Sequence, residues 1–209
     1  MIITILIKKI INRVLKLFQV SHISTKEKVV YITFDDGPEP GICEFVLDEL
    51  RKYDFKATFF CRGDNADNYP ELLSRIINEG HSIGNHTYSH LHAYSVSSKQ
   101  YLDDIERANQ VLHSTLLRPP FGSLTLTTWL SLKSKYRIIY WSLVSGDSNL
   151  DNYDFERSYH QLINKTSSGD IVLFHFCKLH EKETRVILPA YCKWLKANGF
   201  VSNSIIDEV

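Results

Sequence analysis

Asp35 and Asp36 close an apolar run, Val29 to Phe34, and adjacent side chains at a strand end point in different directions. One carboxylate can therefore bind a cation while its neighbour faces a substrate or a water molecule. Gly37 and Pro38 supply a turn directly afterwards, and carboxylates so placed also serve as turn formers and helix N-caps. His86 and His90 stand at the i, i+4 spacing that predicts two imidazoles on one face of a helical turn, within reach of a single ion. Four of the nine histidines fall between His81 and His92. Thr87 occupies the place where a zinc-protease helix carries its Glu, so a base has to come from elsewhere, and Asp35 can fill that role. Two histidines and one carboxylate leave coordination positions open, as in a catalytic metal site and unlike a closed structural one. His175, at the end of another apolar run, is a further candidate for proton transfer, beside the plainer reading of a structural histidine.

These residues need a scaffold that brings strand ends together. From Lys28 onward, β-branched and aromatic runs alternate with stretches of helical periodicity, the pattern of a parallel α/β arrangement. Strands are expected over Val29 to Phe34, Lys56 to Cys61, His81 to His86, Leu116 to Arg118, Arg137 to Leu143 and Ile171 to Phe176. Helices are expected over Ile42 to Tyr53, Pro70 to Glu79, Ser98 to His113, Thr125 to Ser134, Tyr153 to Asn164 and Glu183 to Asn198, the last closed by Gly199. Nearly every strand-like run is followed at once by polar, Gly or Pro residues, and in barrels of alternating strands and helices the loops after the strands share the face that carries the chemistry.

Five blocks occur in order: TFDDGP (Thr33 to Pro38), HTYSH (His86 to His90), RPPFG (Arg118 to Gly122), SGD (Ser145 to Asp147) and LFH (Leu173 to His175). In these blocks the chain resembles the polysaccharide deacetylases of carbohydrate esterase family 4, the NodB homology domain. The resemblance runs from Val29 to Phe200. It implies an α/β fold, an incomplete or distorted (β/α) barrel in a single domain. It implies a divalent metal, zinc first with cobalt, nickel or manganese as alternatives, held by Asp36, His86 and His90. Asp35 is then the general base and His175 the general acid. Arg118 orients Asp35 and is itself held by Asp147, and the main-chain N–H of Phe121, in the family's tyrosine position, joins the metal in stabilising the oxyanion. Leu173 and Trp141, near strand ends, suit the walls of a pocket for a small acyl methyl. Ser148 and Phe176 depart from the pattern, standing where the family often has an aromatic residue and an Asp. The activity implied is removal of N-acetyl groups from an amino-sugar glycan such as chitin, peptidoglycan or an exopolysaccharide. An amidase or deformylase of the same fold acting on a lipid-linked or small amide is the enzymatic alternative, and a catalytically silent carbohydrate-binding relative is the non-enzymatic one.

Composition sets bounds without naming a function. At 209 residues the chain should bury roughly 70% of the surface its unfolded form exposes, enough for one closed core. The 24 basic residues balance the 24 acidic ones, which disfavours nucleic acid as a partner. Cys43, Cys61, Cys177 and Cys192 are scattered and read as reduced thiols. Residues 1–22 are expected to form an amphipathic basic helix, with the catalytic domain over 23–209. Ile3, Ile7, Ile10, Val14 and Leu17 recur at helical spacing among Lys8, Lys9, Arg13 and Lys16, so residues 1–18 either pack on the domain or make a peripheral contact with a membrane. No signal peptide is evident, and the expected location is the cytoplasm or the cytoplasmic membrane surface.

Overall fold

The structure, a computed structural model, describes residues 20–206. Its first strand, β1 (Val29–Asp35), is made of β-branched and aromatic residues and is buried on both faces, as befits the centre of a parallel sheet. There follow α1 (Ile42–Lys52), β2 (Ala57–Cys61), α2 (Gly63–Asn68), α3 (Pro70–Asn78), β3 (Ser82–Asn85), α4 (Ser98–Leu112), β4 (Leu116–Leu117), α5 (Leu126–Leu132) and β5 (Arg137–Ile138). The chain closes with β6 (Leu143–Val144), α6 (Phe155–Lys165), β7 (Ile171–His175), α7 (Glu181–Ala197) and β8 (Val201–Ser202). The strands pair in the order β5-β4-β3-β2-β1-β7-β6, with β8 against the start of β1, and every ladder is parallel. The sheet curls into a half-barrel with helices outside, the distorted (β/α) barrel that the resemblance implies.

Parallel register fixes what meets at the rim. Asp35 is level with His175 on one side and Phe60 on the other, and Asn85 is level with Cys61 and Leu117. The residues that follow these strand ends therefore emerge together on one face. Beneath that face Phe34 stacks on Phe59 at 5.0 Å and meets Phe174 at 5.7 Å and Phe176 at 6.2 Å. α1 lays Ile42, Val46, Leu47 and Leu50 against this core, at the i, i+4 spacing of an amphipathic helix.

Several expectations change on inspection of the backbone. The single strand read over Arg137 to Leu143 is two short strands, β5 pairing β4 and β6 pairing β7. The intervening residues cross between the converging sheet edges, with the Tyr140 N–H donating to the Val20 carbonyl and the Ser142 N–H to that of Ile171. The residues GDNADN form α2, and no apolar periodicity announces it in the sequence. Val20 already bridges Ile139 and His22 bridges Asp170, so residues 20–22 belong to the sheet and not to an N-terminal helix. The amphipathic helix and membrane contact expected over residues 1–18 lie outside the described residues. Among the described residues no helix is long and apolar enough to cross a membrane. All four cysteines are free and buried.

Phe34→Ala, which removes the ring at the centre of the aromatic cluster, should lower the free energy of unfolding by about 3–5 kcal/mol. Urea unfolding of the two proteins measures this, and a loss below about 1 kcal/mol would show that the cluster does not carry the core.

Candidate active site

The site begins with a loop that the sequence pattern misreads. The i, i+4 spacing predicts a helical turn over His86 to His90, but the segment is an irregular loop with Thr87 at φ 63° and His90 at φ 56°. Its amides are claimed by side chains instead of by carbonyls one turn back. Asn85 Oδ1 accepts the Thr87 N–H at 2.8 Å, and Asp104 Oδ2, from α4, accepts those of Tyr88 and Ser89, each at 3.0 Å. The Thr87 and Tyr88 carbonyls in turn accept the first N–H groups of α2. So held, the loop turns both imidazoles inward.

His86 Nδ1 lies 2.7 Å from the Arg118 carbonyl oxygen, which can only accept, so in the neutral ring Nδ1 carries the hydrogen and Nε2 the lone pair. That Nε2 lies 3.3 Å from Asp36 Oδ1, and His90 Nε2 lies 3.1 Å from the same oxygen. Asp36 Oδ1 is nevertheless buried without an aligned hydrogen bond. Burial works against the charge on Asp36, and hydrogen bonds and positive charge from the His86 and His90 rings in their doubly protonated form outweigh it, holding the carboxyl far below the usual carboxylate range; in the neutral rings the Nε2 lone pairs face that oxygen instead. Converging lone pairs around an ionised oxygen are what a divalent cation satisfies, and ligand atoms of Asp36, His86 and His90 lie within 4.8 Å of one another. The donor set fits the metal that the resemblance implies.

Asp35 is differently placed. Its Oδ1 accepts from Arg118 Nη1 at 2.8 Å, while Oδ2 stands 3.8 Å from His86 Nε2. Arg118 is 0% exposed, its guanidinium also donating to Thr33 Oγ1 at 2.7 Å and to the Tyr140 carbonyl at 3.0 Å, with its central carbon 4.1 Å from the Phe60 ring centroid. The expectation that Asp147 holds Arg118 is not met. After β6 the chain turns at Gly146 (φ 89°) over the end of β7, so Asp147 faces His175 and not the barrel interior. Asp147 Oδ2 accepts the His175 main-chain N–H at 2.7 Å, Oδ1 pairs with His175 Nδ1 at 2.9 Å, and Thr184 Oγ1 donates to Oδ2 at 3.0 Å. Burial opposes a charged imidazole there, and the Asp147 carboxylate prevails, raising His175 to about 9. Burial likewise opposes the Asp147 charge, and His175 holds that carboxyl below its ordinary value.

Asp35, Asp36, His86, His90 and His175 open on one cleft of about 390 Å³, whose walls include Leu173, Trp141 and Phe121. Phe121 is 62% exposed, takes φ 58° and sets its ring 4.7 Å from that of His90. Ser148 lines the cleft where the family often has an aromatic side chain. Phe176 is buried in the core, and its ring comes so near Gly37 that a Cβ there would stand 2.5 Å from it. Sequence reasoning passed over Thr33, Thr184, Asp104 and His180. A polar residue on the buried face of an amphipathic helix, as Asp104 and Thr184 are, is the signal that marks two of them.

A family model for polysaccharide deacetylases matches residues 22–137. A Bacillus cereus peptidoglycan-N-acetylglucosamine deacetylase is 33% identical over 185 residues, covering 86% of this chain and 87% of that protein. This chain belongs to the polysaccharide deacetylase family. The family likeness extends to the Bacillus subtilis peptidoglycan-N-acetylmuramic acid deacetylase PdaA, 31% identical over 88% of this chain and 72% of that protein. It extends also to a family 4 carbohydrate esterase from Streptomyces lividans, solved with acetate, which superposes with a TM-score of 0.75 at 28% identity over 86% of this chain and 94% of that one. The alignments with both Bacillus proteins reach well beyond the residues of the family model, as the five blocks of a polysaccharide deacetylase require.

Because Asp104 orders the histidine loop without touching a ligand atom, Asp104→Ala should weaken binding of a divalent ion by roughly 10- to 100-fold while leaving the stoichiometry intact. Isothermal titration with zinc reads this, and unchanged affinity would show that the loop holds its shape without the carboxylate.

Proposed function

We propose that this polysaccharide deacetylase is a metal-dependent hydrolase that removes N-acetyl groups from the amino sugars of peptidoglycan. The observation that carries this reading is the division of labour between adjacent carboxylates. Asp35 is fastened to a buried guanidinium on one oxygen, and Asp36 aims an unbonded oxygen between two imidazoles. The peptidoglycan deacetylases among the relatives supply the substrate class.

A divalent ion held by Asp36, His86 and His90 would polarise the acetamide carbonyl and make a bound water easier to deprotonate. Arg118 engages Oδ1 of Asp35 and leaves Oδ2 to take the proton from the attacking water. The Phe121 main-chain N–H offers a hydrogen bond to the developing oxyanion, a role for which Phe serves as well as Tyr because the donor is backbone. An amide nitrogen leaves poorly as an anion, so His175 gives it a proton as the C–N bond breaks. Asp147 on Nδ1 reserves Nε2 for that transfer. Leu173 and Trp141 flank the space for the acetyl methyl.

Acetate release tests the reading: the zinc-loaded protein should liberate acetate from peptidoglycan, and release from none of peptidoglycan, chitin oligosaccharides or acetylated exopolysaccharide would sink it. Asp35→Asn should keep metal content near normal and lower turnover by roughly 10²- to 10⁴-fold, whereas Asp36→Asn should lose metal. Equal metal loss in the two variants would contradict the assignment of base and ligand. His175 donates only when charged, so activity should persist to about pH 9 and fall above it. In Asp147→Asn that alkaline limb should move to lower pH by about one to three units, and a limb that stays put would remove His175 from the role of acid.

A further inference from the structure

Asp36 presents its two oxygens to two different groups of donors. Oδ1 lies between the Nε2 atoms of His86 and His90, whereas Oδ2 lies 4.0 Å from Cys177 Sγ. Cys177 and His180 bracket one 3₁₀ turn, Lys178–His180, closed by the His180 N–H on the Cys177 carbonyl at 3.2 Å. Cys177 caps this turn in an extended conformation (φ −123°, ψ 162°), so its thiol comes to Asp36 from the start of the turn and the His180 imidazole from its end. Ligand atoms of Asp36, Cys177 and His180 all lie within 4.8 Å of one another. The turn is pinned from outside by the Lys178 N–H on Glu39 Oε2 at 2.9 Å. His180 is 7% exposed and lines the cleft, its ring is 4.5 Å from that of His175, and its Nδ1 is buried without a hydrogen-bond partner. A buried ring nitrogen with no partner is rare unless something else satisfies it.

We propose that Asp36 Oδ2, Cys177 and His180 form a further cation site, distinct from the Asp36–His86–His90 group and joined to it by the shared carboxylate, that takes a thiophilic divalent ion such as zinc or cobalt. The proposal rests on reading Asp36 as a metal ligand. Sulfur, nitrogen and oxygen donors together favour zinc or cobalt over magnesium or calcium, which want oxygen alone. A carboxylate that splits its oxygens between two ions is the natural bridge of two-metal sites, whose ions stand about 3.5–4 Å apart. A free cysteine thiol keeps its proton at neutral pH, and Cys177 Sγ stands against Asp36 Oδ2 as a weak hydrogen-bond donor. Loading therefore expels one thiol proton to solvent per ion bound, and the thiolate becomes the ligand.

Cobalt(II) titration of the metal-stripped full chain, followed by metal analysis and absorption spectroscopy, tests the site. The expected result is two cobalt ions per chain, the second bringing a sulfur-to-cobalt charge-transfer band. Cys177→Ser and His180→Ala should each abolish that ion and its band while the first ion stays. One cobalt per chain without the band overturns the proposal on the unaltered protein, whatever the variants do. One cobalt with a band that vanishes in His90→Ala also overturns it, since Cys177 would then be only an extra ligand of the first site. One cobalt with a band that survives His90→Ala supports the Cys177 site and removes the metal from the histidine pair, so the two readings fail separately.

Discussion

The Arg118 guanidinium carries a full positive charge into the dry interior of the half-barrel, where only a complete set of acceptors can hold it. Its side chain meets Asp35, Thr33 and the carbonyls of Ile139 and Tyr140, and its own main-chain carbonyl fixes the ring of His86. Removing one partner of such a buried pair costs about 3–5 kcal/mol, because the other charge is left uncompensated. The same residue thus aims the proposed base through its side chain and the proposed ligand through its backbone. Lysine could not replace it, since a point charge lacks the fork that reaches four acceptors.

Around that anchor the rim is built from backbone that is unfavourable by itself. Asp36, Thr87, His90 and Phe121 all have positive φ, at 80°, 63°, 56° and 58°. Each such residue costs on the order of 1–3 kcal/mol and persists only where its surroundings over-determine it. For the histidine loop those surroundings are Asn85 and Asp104, which claim the amides a helix would otherwise use. Order at this rim is therefore imposed by the second layer of residues. The His175–Asp147 pair follows the same logic on the far side of β1, with Thr184 completing the carboxylate's contacts.

Much of this was legible because strands and chemistry alternate. Apolar runs ending in DD, NH, RPP or H announce strand ends, and parallel pairing forces those ends onto one face, so the sequence alone groups Asp35, Asp36, His86, His90, Arg118 and His175. Contacts between side chains were not legible to the same degree. The resemblance places Asp147 on Arg118, yet the turn at Gly146 delivers it to His175, a choice that depends on loop geometry after β6. The i, i+4 histidines suggested a helix because spacing alone cannot show that side chains have taken the amides. His180 lay in a stretch without apolar periodicity, and only the 3₁₀ turn brings it beside Cys177 and into the cleft.

The central claim is that converging lone pairs at Asp36, His86 and His90 exist to hold a divalent cation. Crystals of the full chain soaked in zinc, with anomalous data collected across the zinc edge, test it most directly. The account predicts a peak bounded by Asp36 Oδ1, His86 Nε2 and His90 Nε2 at about 2.0–2.2 Å from each. A zinc-soaked crystal with no peak between those three atoms would contradict it.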